Sequence, residues 1–137
     1  MASFNKFNSF VEAVAEKVHN LGSDSLKIAL TATANPPVAS NTQLSNLTEI
    51  AYTNLSARTI TTTSSAQTSG TYKLVLTDLV LTASGTVAAF QHVVLYNDTA
   101  TNKELIGWYD YGSAVTLLNT DTFTIDFDGT NGVLTIA

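Results

Sequence analysis

The stretch that decides the fold is AFQHVVLY, residues 89–96, which is apolar at nearly every position. A short, continuous apolar run of this kind is typical of a β-strand that is buried on both faces of a sheet. The polar segment NDTATNK, residues 97–103, ends the run as a turn, and LIGWYDYG, residues 105–112, follows as a further strand. These segments predict a β-protein with a central strand at residues 89–96.

The composition of the chain supports an all-β fold. Threonine, serine and asparagine number 22, 12 and 11, or about a third of the 137 residues. Threonine favours strands because its branched side chain suits a pleated surface, whereas serine and asparagine favour turns. Charged residues make up only 12% of the chain, against about 25% in typical soluble domains. The polar surface must therefore be mostly uncharged.

The charge pattern argues against two classes of partner. The net charge is −5, and the six basic residues are scattered along the chain. Binding to nucleic acid or to an anionic membrane requires clustered basic residues, so we expect neither partner. The N-terminus lacks the apolar region of a signal peptide, and no apolar run is long enough to cross a bilayer. The chain has no cysteine, which excludes disulfides and thiolate chemistry.

The first 22 residues carry a helical pattern. Six apolar residues recur at a spacing of three or four, which places them on one stripe of a helix: Phe4, Phe7, Val11, Val14, Val18 and Leu21. The helix has two possible starts, at Ser3 or at Ser9, where Ser9 and Glu12 form a capping-box pattern. Gly22 suits the residue that follows a helix. We therefore predict an N-terminal helix within residues 1–22, either packed on the sheet or free as an arm.

Residues 23–137 predict one β-sandwich domain. Turn signals separate about seven or eight short strands, a pattern typical of a β-sandwich or jelly roll. In TYKLVLTDLVLT, residues 71–82, the apolar alternation slips by one residue after Leu76. Because a slip turns side chains to the opposite face, we predict a β-bulge near Thr77–Asp78. The overall expectation is an all-β jelly roll or sandwich with one N-terminal α-helix.

No motif in the chain predicts catalysis, a cofactor or a metal site. DFDGTNG, residues 126–132, begins like a calcium loop, but Asn131 stands where an EF-type loop needs glycine. The motif is better explained as a hairpin turn in which Gly132 supplies a positive φ. His19 and His92 are the only histidines, and both are expected to be neutral and hydrogen-bonded. We therefore predict that the protein is not an enzyme.

The aromatic residues of LIGWYDYG allow two interpretations. Rings on one exposed face could stack on a sugar, whereas amphipathic rings at the ends of a core strand would be structural. The pleat of a strand places Trp108 and Ile106 on one face, and Tyr109 and Tyr111 on the other. Trp108 is therefore predicted to be a core residue. Tyr109 and Tyr111 form the alternative ligand platform.

Several segments together resemble small virion structural proteins of tailed bacteriophages. They are the N-terminal segment followed by LKIALT, then SGTYKLVL, VVLYNDT, LIGWYDYG, TFTIDF and GVLTI, which together span nearly the whole chain. The nearest type is the capsid decoration, or cement, protein, which is often a trimeric jelly roll on the outside of the shell. The similar segments are strands and turns, so the resemblance carries over no catalytic residue.

The resemblance implies a structural function on the virion. A decoration protein would be made in the cytoplasm of a bacterial host, bind the major capsid protein and stabilise the shell from outside. It would assemble as a homotrimer, with self-contacts expected at two places: the N-terminal stripe (Phe4, Phe7, Val11, Val14, Val18) and a Thr-rich strand edge (Thr59, Thr61, Thr63). The alternative is a tail-fibre module that binds a receptor or carbohydrate through Tyr109 and Tyr111.

Overall fold

A computed structural model describes residues 2–137, which form ten β-strands, one short α-helix and one 3₁₀ turn at Leu44–Asn46. In chain order the elements are β1 (Phe4–Lys6), α1 (Phe10–Ala15), β2 (Leu26–Thr31), β3 (Thr59–Ile60), β4 (Thr62–Thr68), β5 (Thr71–Leu76), β6 (Leu79–Thr82), β7 (Phe90–Asn97), β8 (Leu105–Val115), β9 (Thr122–Ile125) and β10 (Leu134–Ile136). The predicted all-β class is confirmed. The count exceeds seven or eight because β1 lies in the segment predicted as a helix and β3 has only two residues, too few for a sequence pattern.

The strands form an antiparallel sandwich. One layer is a five-stranded sheet in the order β1-β8-β7-β2-β3, and the other is made of a three-stranded sheet, β10-β5-β4, and a two-stranded sheet, β6-β9. The main core lies between the layers and draws its side chains from both, including Ile28, Leu74, Leu81, Leu95 and Ile125. The predicted β-sandwich is therefore confirmed, whereas the jelly-roll topology stays a prediction.

The central strand β7 is buried on both faces, as its sequence predicts. Val93 and Leu95 face the main core. Val94 and Tyr96 face a second, smaller cluster on the opposite side of the five-stranded sheet, whose buried members are Phe7, Ala29, Val94, Tyr96 and Leu105. Half-buried Leu44, Leu47 and Trp108 pack against this second cluster. The five-stranded sheet is thus covered on both sides over its middle strands.

The chain irregularity predicted near Thr77–Asp78 is present, but it is not a β-bulge. β5 ends at Leu76 and β6 begins at Leu79, and the two strands belong to different sheets. The strands that pair with them, β10 and β9, are separated by the longer loop at residues 126–133. The carboxylate of Asp78 accepts a hydrogen bond of 2.9 Å from the backbone N–H of Phe127, which joins the two interrupted strand pairs. The extra residues therefore lie in the loop 126–133, between the strands that pair with β6 and β5, and not at Thr77–Asp78.

The helix predicted within residues 1–22 is present, but it is much shorter than the apolar stripe and contains only Val11 and Val14 of the stripe's six residues. Phe4 lies in β1, which pairs with β8, and the only α-helix within residues 2–22 is the six-residue α1. Phe4 packs against the main core, whereas Phe7 lies in the second cluster on the other face of the sheet. A spacing of three puts two residues on one side of a helix but on opposite sides of extended chain, and burial on both sides favours the extended form. The N-terminal segment is therefore part of the sandwich and not a separate arm.

The helix α1 starts after Ser9, one of the two predicted starts, but it ends at Ala15 and not near Gly22. Lys17 adopts a left-handed backbone with φ of 66°. The N–H of Val18 donates a hydrogen bond of 2.8 Å to the carbonyl oxygen of Ala13, and the N–H of Lys17 donates one of 3.3 Å to the carbonyl oxygen of Val14. This pair of bonds is a Schellman motif, which usually has glycine at the position of Lys17.

We expect Lys17→Gly to stabilise the protein by about 0.5–1 kcal/mol, because glycine adopts the left-handed conformation without a Cβ clash. The gain is limited because glycine also loses more backbone entropy on folding. Chemical denaturation of the two proteins would measure the difference. Glu16→Gly, one residue earlier at φ of −92°, is the matched control and should be destabilising. Equal effects of the two substitutions would contradict this account of the helix end.

Candidate functional site

The predicted ligand platform lies in a pocket between the two layers of the sandwich. Tyr109 and Tyr111 come from β8, and Phe123 comes from β9 on the opposite layer. The pocket has a volume of about 250 Å³ and a largely apolar wall, with these lining residues: Ala2, Val93, Tyr109, Tyr111, Phe123, Thr124, Ile125 and Asp126. We call it the tyrosine pocket. The structure therefore brings together the two tyrosines that the sequence singled out and adds Phe123 and Asp126 to them.

A β-bulge in β8 decides which side chains reach the tyrosine pocket. Leu95 pairs with Gly107 and the next residue, Tyr96, pairs with Leu105, so Ile106 is one extra residue on β8. The bulge turns Ile106 towards the main core, on the same side as Tyr109. The predicted grouping of Ile106 with Trp108 is therefore wrong. The predicted separation of Trp108 from the two tyrosines is confirmed, because Trp108 packs against the second cluster.

Trp108 is at the margin of a core and not inside one. Its ring lies 4.5 Å from the ring of Phe7, measured between centroids, and part of its surface stays exposed. The prediction that Trp108 is a core residue is therefore confirmed only in part. Because the residue is only half-buried, we expect its truncation to cost less than the loss of a fully buried ring.

The rings of the tyrosine pocket stand at steep angles to one another. The ring of Tyr111 is 5.3 Å from that of Phe123, at 75° between planes, and Phe123 is 5.2 Å from Phe90 at 89°. Tyr109 is held between Phe4 and Phe127 at tilted angles of 55° and 54°. Tyr111 is 56% exposed, whereas Tyr109 is half-buried. Within the pocket, the rings of Tyr111 and Phe123 therefore meet at a corner and do not form one flat surface.

The charge near the tyrosine pocket is negative. Asp126 lines the pocket, and no basic side chain does so among the described residues. Burial, together with the smaller effect of the nearby negative charge of Asp128, raises the pKa of the Tyr109 hydroxyl to about 12. Tyr109 therefore stays neutral at physiological pH and can donate a hydrogen bond.

Asp128 stabilises the turn at DFDGTNG. Its carboxylate accepts hydrogen bonds from the backbone N–H groups of Thr130 and Asn131 at 2.9 and 2.7 Å. The N–H of Asn131 is the main cause of the lowered pKa of Asp128. Gly132 has the predicted positive φ, 84°. The turn is not a hairpin, however, because β9 and β10 on either side of it belong to different sheets.

The Thr-rich segment is exposed, as predicted, but it is divided between two edges: Thr59 lies in β3 at the edge of the five-stranded sheet, and Thr63 lies in β4 at the edge of the three-stranded sheet. Thr59, Thr61 and Thr63 are all exposed. β4 pairs with β5 on one side, and within residues 2–137 no strand pairs with its other side. The sequence of β4, TTSSAQT, holds no charged residue, proline or glycine. Edge strands of monomeric proteins are commonly protected by such residues, so β4 is free to accept another strand.

The N-terminal residues predicted to form an interface fall into two groups. Phe7 is fully buried within its own chain, so its predicted role in binding a partner is wrong. Phe4, Val14 and Val18 are half-buried, and the first two pack against the main core. Val11 is 54% exposed. Of the predicted stripe, Val11 alone is largely available to a partner.

Both histidines are buried and hydrogen-bonded. The Nδ1 atom of His92 is 3.1 Å from the hydroxyl of Thr31. The amide of Asn97 donates to His19 Nδ1 at 3.1 Å and to the carboxylate of Asp24 at 2.6 Å. The carbonyl oxygen of the same amide accepts two backbone N–H bonds, which fixes its orientation. His19 Nδ1 must therefore be an acceptor, which places the proton of the neutral ring on Nε2, a buried atom without a hydrogen-bond partner among the described residues.

We expect the stability of the protein to fall as the pH drops below 6.5. Burial lowers the pKa of His19, only partly offset by Glu104 and Asp24, so the unfolded chain binds more protons than the folded chain in this range. The stabilising contribution of neutral His19 is thus complete above pH 6.5 and is lost as the pH falls towards the folded-state pKa. Unfolding experiments from about pH 7.5 to about pH 5.5 avoid most carboxylate titration.

His19→Gln is the control for this pH dependence, because glutamine can accept a hydrogen bond but does not titrate. The variant should be less stable than the parent at neutral pH but vary less with pH. An unchanged slope in the variant would assign the pH dependence to other groups.

No helix among residues 2–137 has the length and apolarity needed to span a membrane. Comparison of the chain with protein-family models, with curated proteins and with solved structures finds no match in any of the three. The candidate sites therefore rest on the geometry of this chain alone: the tyrosine pocket between the layers and the unprotected edge of β4.

Proposed function

We propose that this chain is a structural protein of a tailed-bacteriophage virion, and that it acts as a head decoration protein on the outer surface of the capsid. The observation that carries the proposal is the free edge of β4, residues Thr62–Thr68. The resemblance of the strand segments to virion structural proteins supports the same assignment. In this function the major capsid protein is the partner, and the protein acts by adhesion without a cofactor.

The free edge of β4 is suited to adhesion because it offers main-chain hydrogen bonds to another strand. Five of its seven residues are exposed, and its side chains are small and uncharged. Only short side chains must lose freedom when a partner strand pairs with this edge, so the entropic cost is low. An uncharged edge also binds with little dependence on salt, which suits permanent attachment to a shell.

The test measures binding of the purified protein to capsids of the parent phage that lack it, by co-sedimentation. The double variant Ser64→Lys with Ala66→Lys places two charges on the exposed edge of β4 and should reduce binding at least tenfold. The double variant Ala51→Lys with Thr53→Lys makes the same charge change in an exposed loop and should bind normally. Equal loss in both would assign the effect to charge and not to the edge.

Self-assembly into a homotrimer is part of the proposal and is tested separately by light scattering after size exclusion. A truncation of residues 1–22 is unsuitable, because it removes buried Phe7 and Phe10. Val11→Asp and the lysine pair on β4 separate the two possible contact surfaces without touching the core. A monomer at high micromolar concentration would count against assembly in solution, and electron microscopy of the particle would locate the protein on head or tail.

A second candidate function is that of a receptor-binding module of a tail fibre. The observation in its favour is that Tyr109 and Tyr111 line one pocket with Asp126, which combines aromatic surface with hydrogen-bonding groups. Glycan-array binding that is lost in Tyr111→Ala would support this function. Tyr111 is the better position to change, because Tyr109 also supports the packing of Phe4 and Phe127. Density for the protein at the tail tip alone would replace the head assignment with this one.

A further inference from the structure

We infer that the tyrosine pocket binds a quaternary ammonium group, such as the trimethylammonium group of choline. The inference is independent of the adhesive function of β4, which contributes no residue to the pocket. It rests on two properties of the pocket: aromatic rings that meet at steep angles, and one carboxylate as the only charged group among its described lining residues.

The ring arrangement selects the shape of the ligand. A pyranose needs a flat ring parallel to its own face, but the planes of Tyr111 and Phe123 cross at 75°. Rings that cross at steep angles enclose a compact, nearly spherical group from several sides. A trimethylammonium group has that shape, and the electron-rich faces of tyrosine and phenylalanine attract its positive charge. Val93 and Ile125, both buried, add apolar surface at the base for its methyl groups.

The charge of the pocket selects the charge of the ligand. Asp126 is exposed at the pocket, and none of the described lining residues is basic. An anion would be repelled by the carboxylate of Asp126 and would find no basic side chain in the described pocket wall. A neutral apolar ligand would remove Asp126 from water without neutralising its charge. An organic cation with an apolar surface satisfies both the rings and the carboxylate.

The experiment titrates the full-length protein with choline and with its neutral isostere, in which a tert-butyl group replaces trimethylammonium. Calorimetry gives the affinities, and the proton NMR signal of the ligand methyl groups reports contact with aromatic rings by an upfield shift. We expect choline to bind with shifted methyl signals and at least about tenfold more tightly than the isostere. Equal affinity for the two ligands, or binding of neither at millimolar concentration, would overturn the inference.

Variants locate the binding and separate the contributions of ring and charge. Tyr111→Ala should weaken choline binding about tenfold, whereas Tyr111→Phe, which keeps the ring, should retain most of it. Asp126→Asn should weaken choline but leave the isostere unchanged. Val80→Ala removes an exposed apolar side chain from the same two-stranded sheet outside the pocket and should have no effect. A pyranose whose binding is lost in Tyr111→Ala while choline does not bind would assign the pocket to sugar instead.

Discussion

Replacing Phe7 with alanine should lower the free energy of unfolding by about 3–5 kcal/mol, the usual cost of removing a fully buried phenylalanine. Phe7 is completely buried and fills the second cluster between Val94, Tyr96 and Leu105. Its backbone N–H also bonds the carbonyl of Ile106 at 3.2 Å, so the surrounding chain is held in place and cannot collapse into the cavity. Urea denaturation followed by circular dichroism would measure the loss.

Val11→Ala is the matched control for Phe7→Ala. Val11 belongs to the same apolar stripe in the sequence but is 54% exposed, so its truncation should change stability by less than about 0.5 kcal/mol. Similar effects at the two positions would mean that the stripe forms one helical face after all. That result would contradict the placement of Phe7 in extended chain.

Gly107→Ala should destabilise the protein by about 1–3 kcal/mol, the usual cost of overpacking a site. A Cβ atom at this position would lie 2.6 Å from the backbone oxygen of Asn5 and would also overlap the ring of Phe4. The backbone of β1 must move away from β8 to relieve the first contact. The change should therefore loosen the N-terminal strand, which hydrogen exchange of β1 amides would detect alongside the global stability.

Gly22→Ala is the control for Gly107→Ala, because an added Cβ there meets its nearest neighbours at an ordinary 3.5 Å. The backbone of Gly22 also does not adopt a positive φ. Its substitution should be neutral or slightly stabilising, since alanine reduces the freedom of the unfolded chain. A loss at Gly22 as large as that at Gly107 would indicate a general intolerance of glycine replacement and not a local clash.

The central strand could be predicted from sequence because its burial on both faces leaves a continuous apolar run. The N-terminal segment could not, because its apolar spacing fits a helix equally well. In the structure Phe4 and Phe7 lie on opposite faces of one sheet, and Phe10, outside the predicted stripe, is the buried phenylalanine of α1. Phe4 lies in a strand because β1 pairs with β8, about a hundred residues away in the sequence. Local spacing contains no information on that pairing.

Only part of the tyrosine pocket could be predicted from the sequence, because its residues come from strands in both layers of the sandwich. Alternation along one strand correctly placed Tyr109 and Tyr111 on the same face. Phe123 and Asp126 come from β9 and the residue after it, and only the packing of one layer on the other brings them to the tyrosines. The extra residue at Ile106 had no sequence signal either, because bulges depend on the register with the neighbouring strand.

The pairing of β1 with β8 also has a consequence for how the chain acquires its structure during synthesis. Phe4 leaves the ribosome well before its partner in the sheet, Tyr109, which is translated more than a hundred residues later. β2 likewise cannot pair until β7 has been translated, since Leu26 pairs with Asn97. The five-stranded sheet therefore closes only when β8 has emerged. Contacts so distant along the chain predict slow folding, in about milliseconds to seconds once all five strands are available.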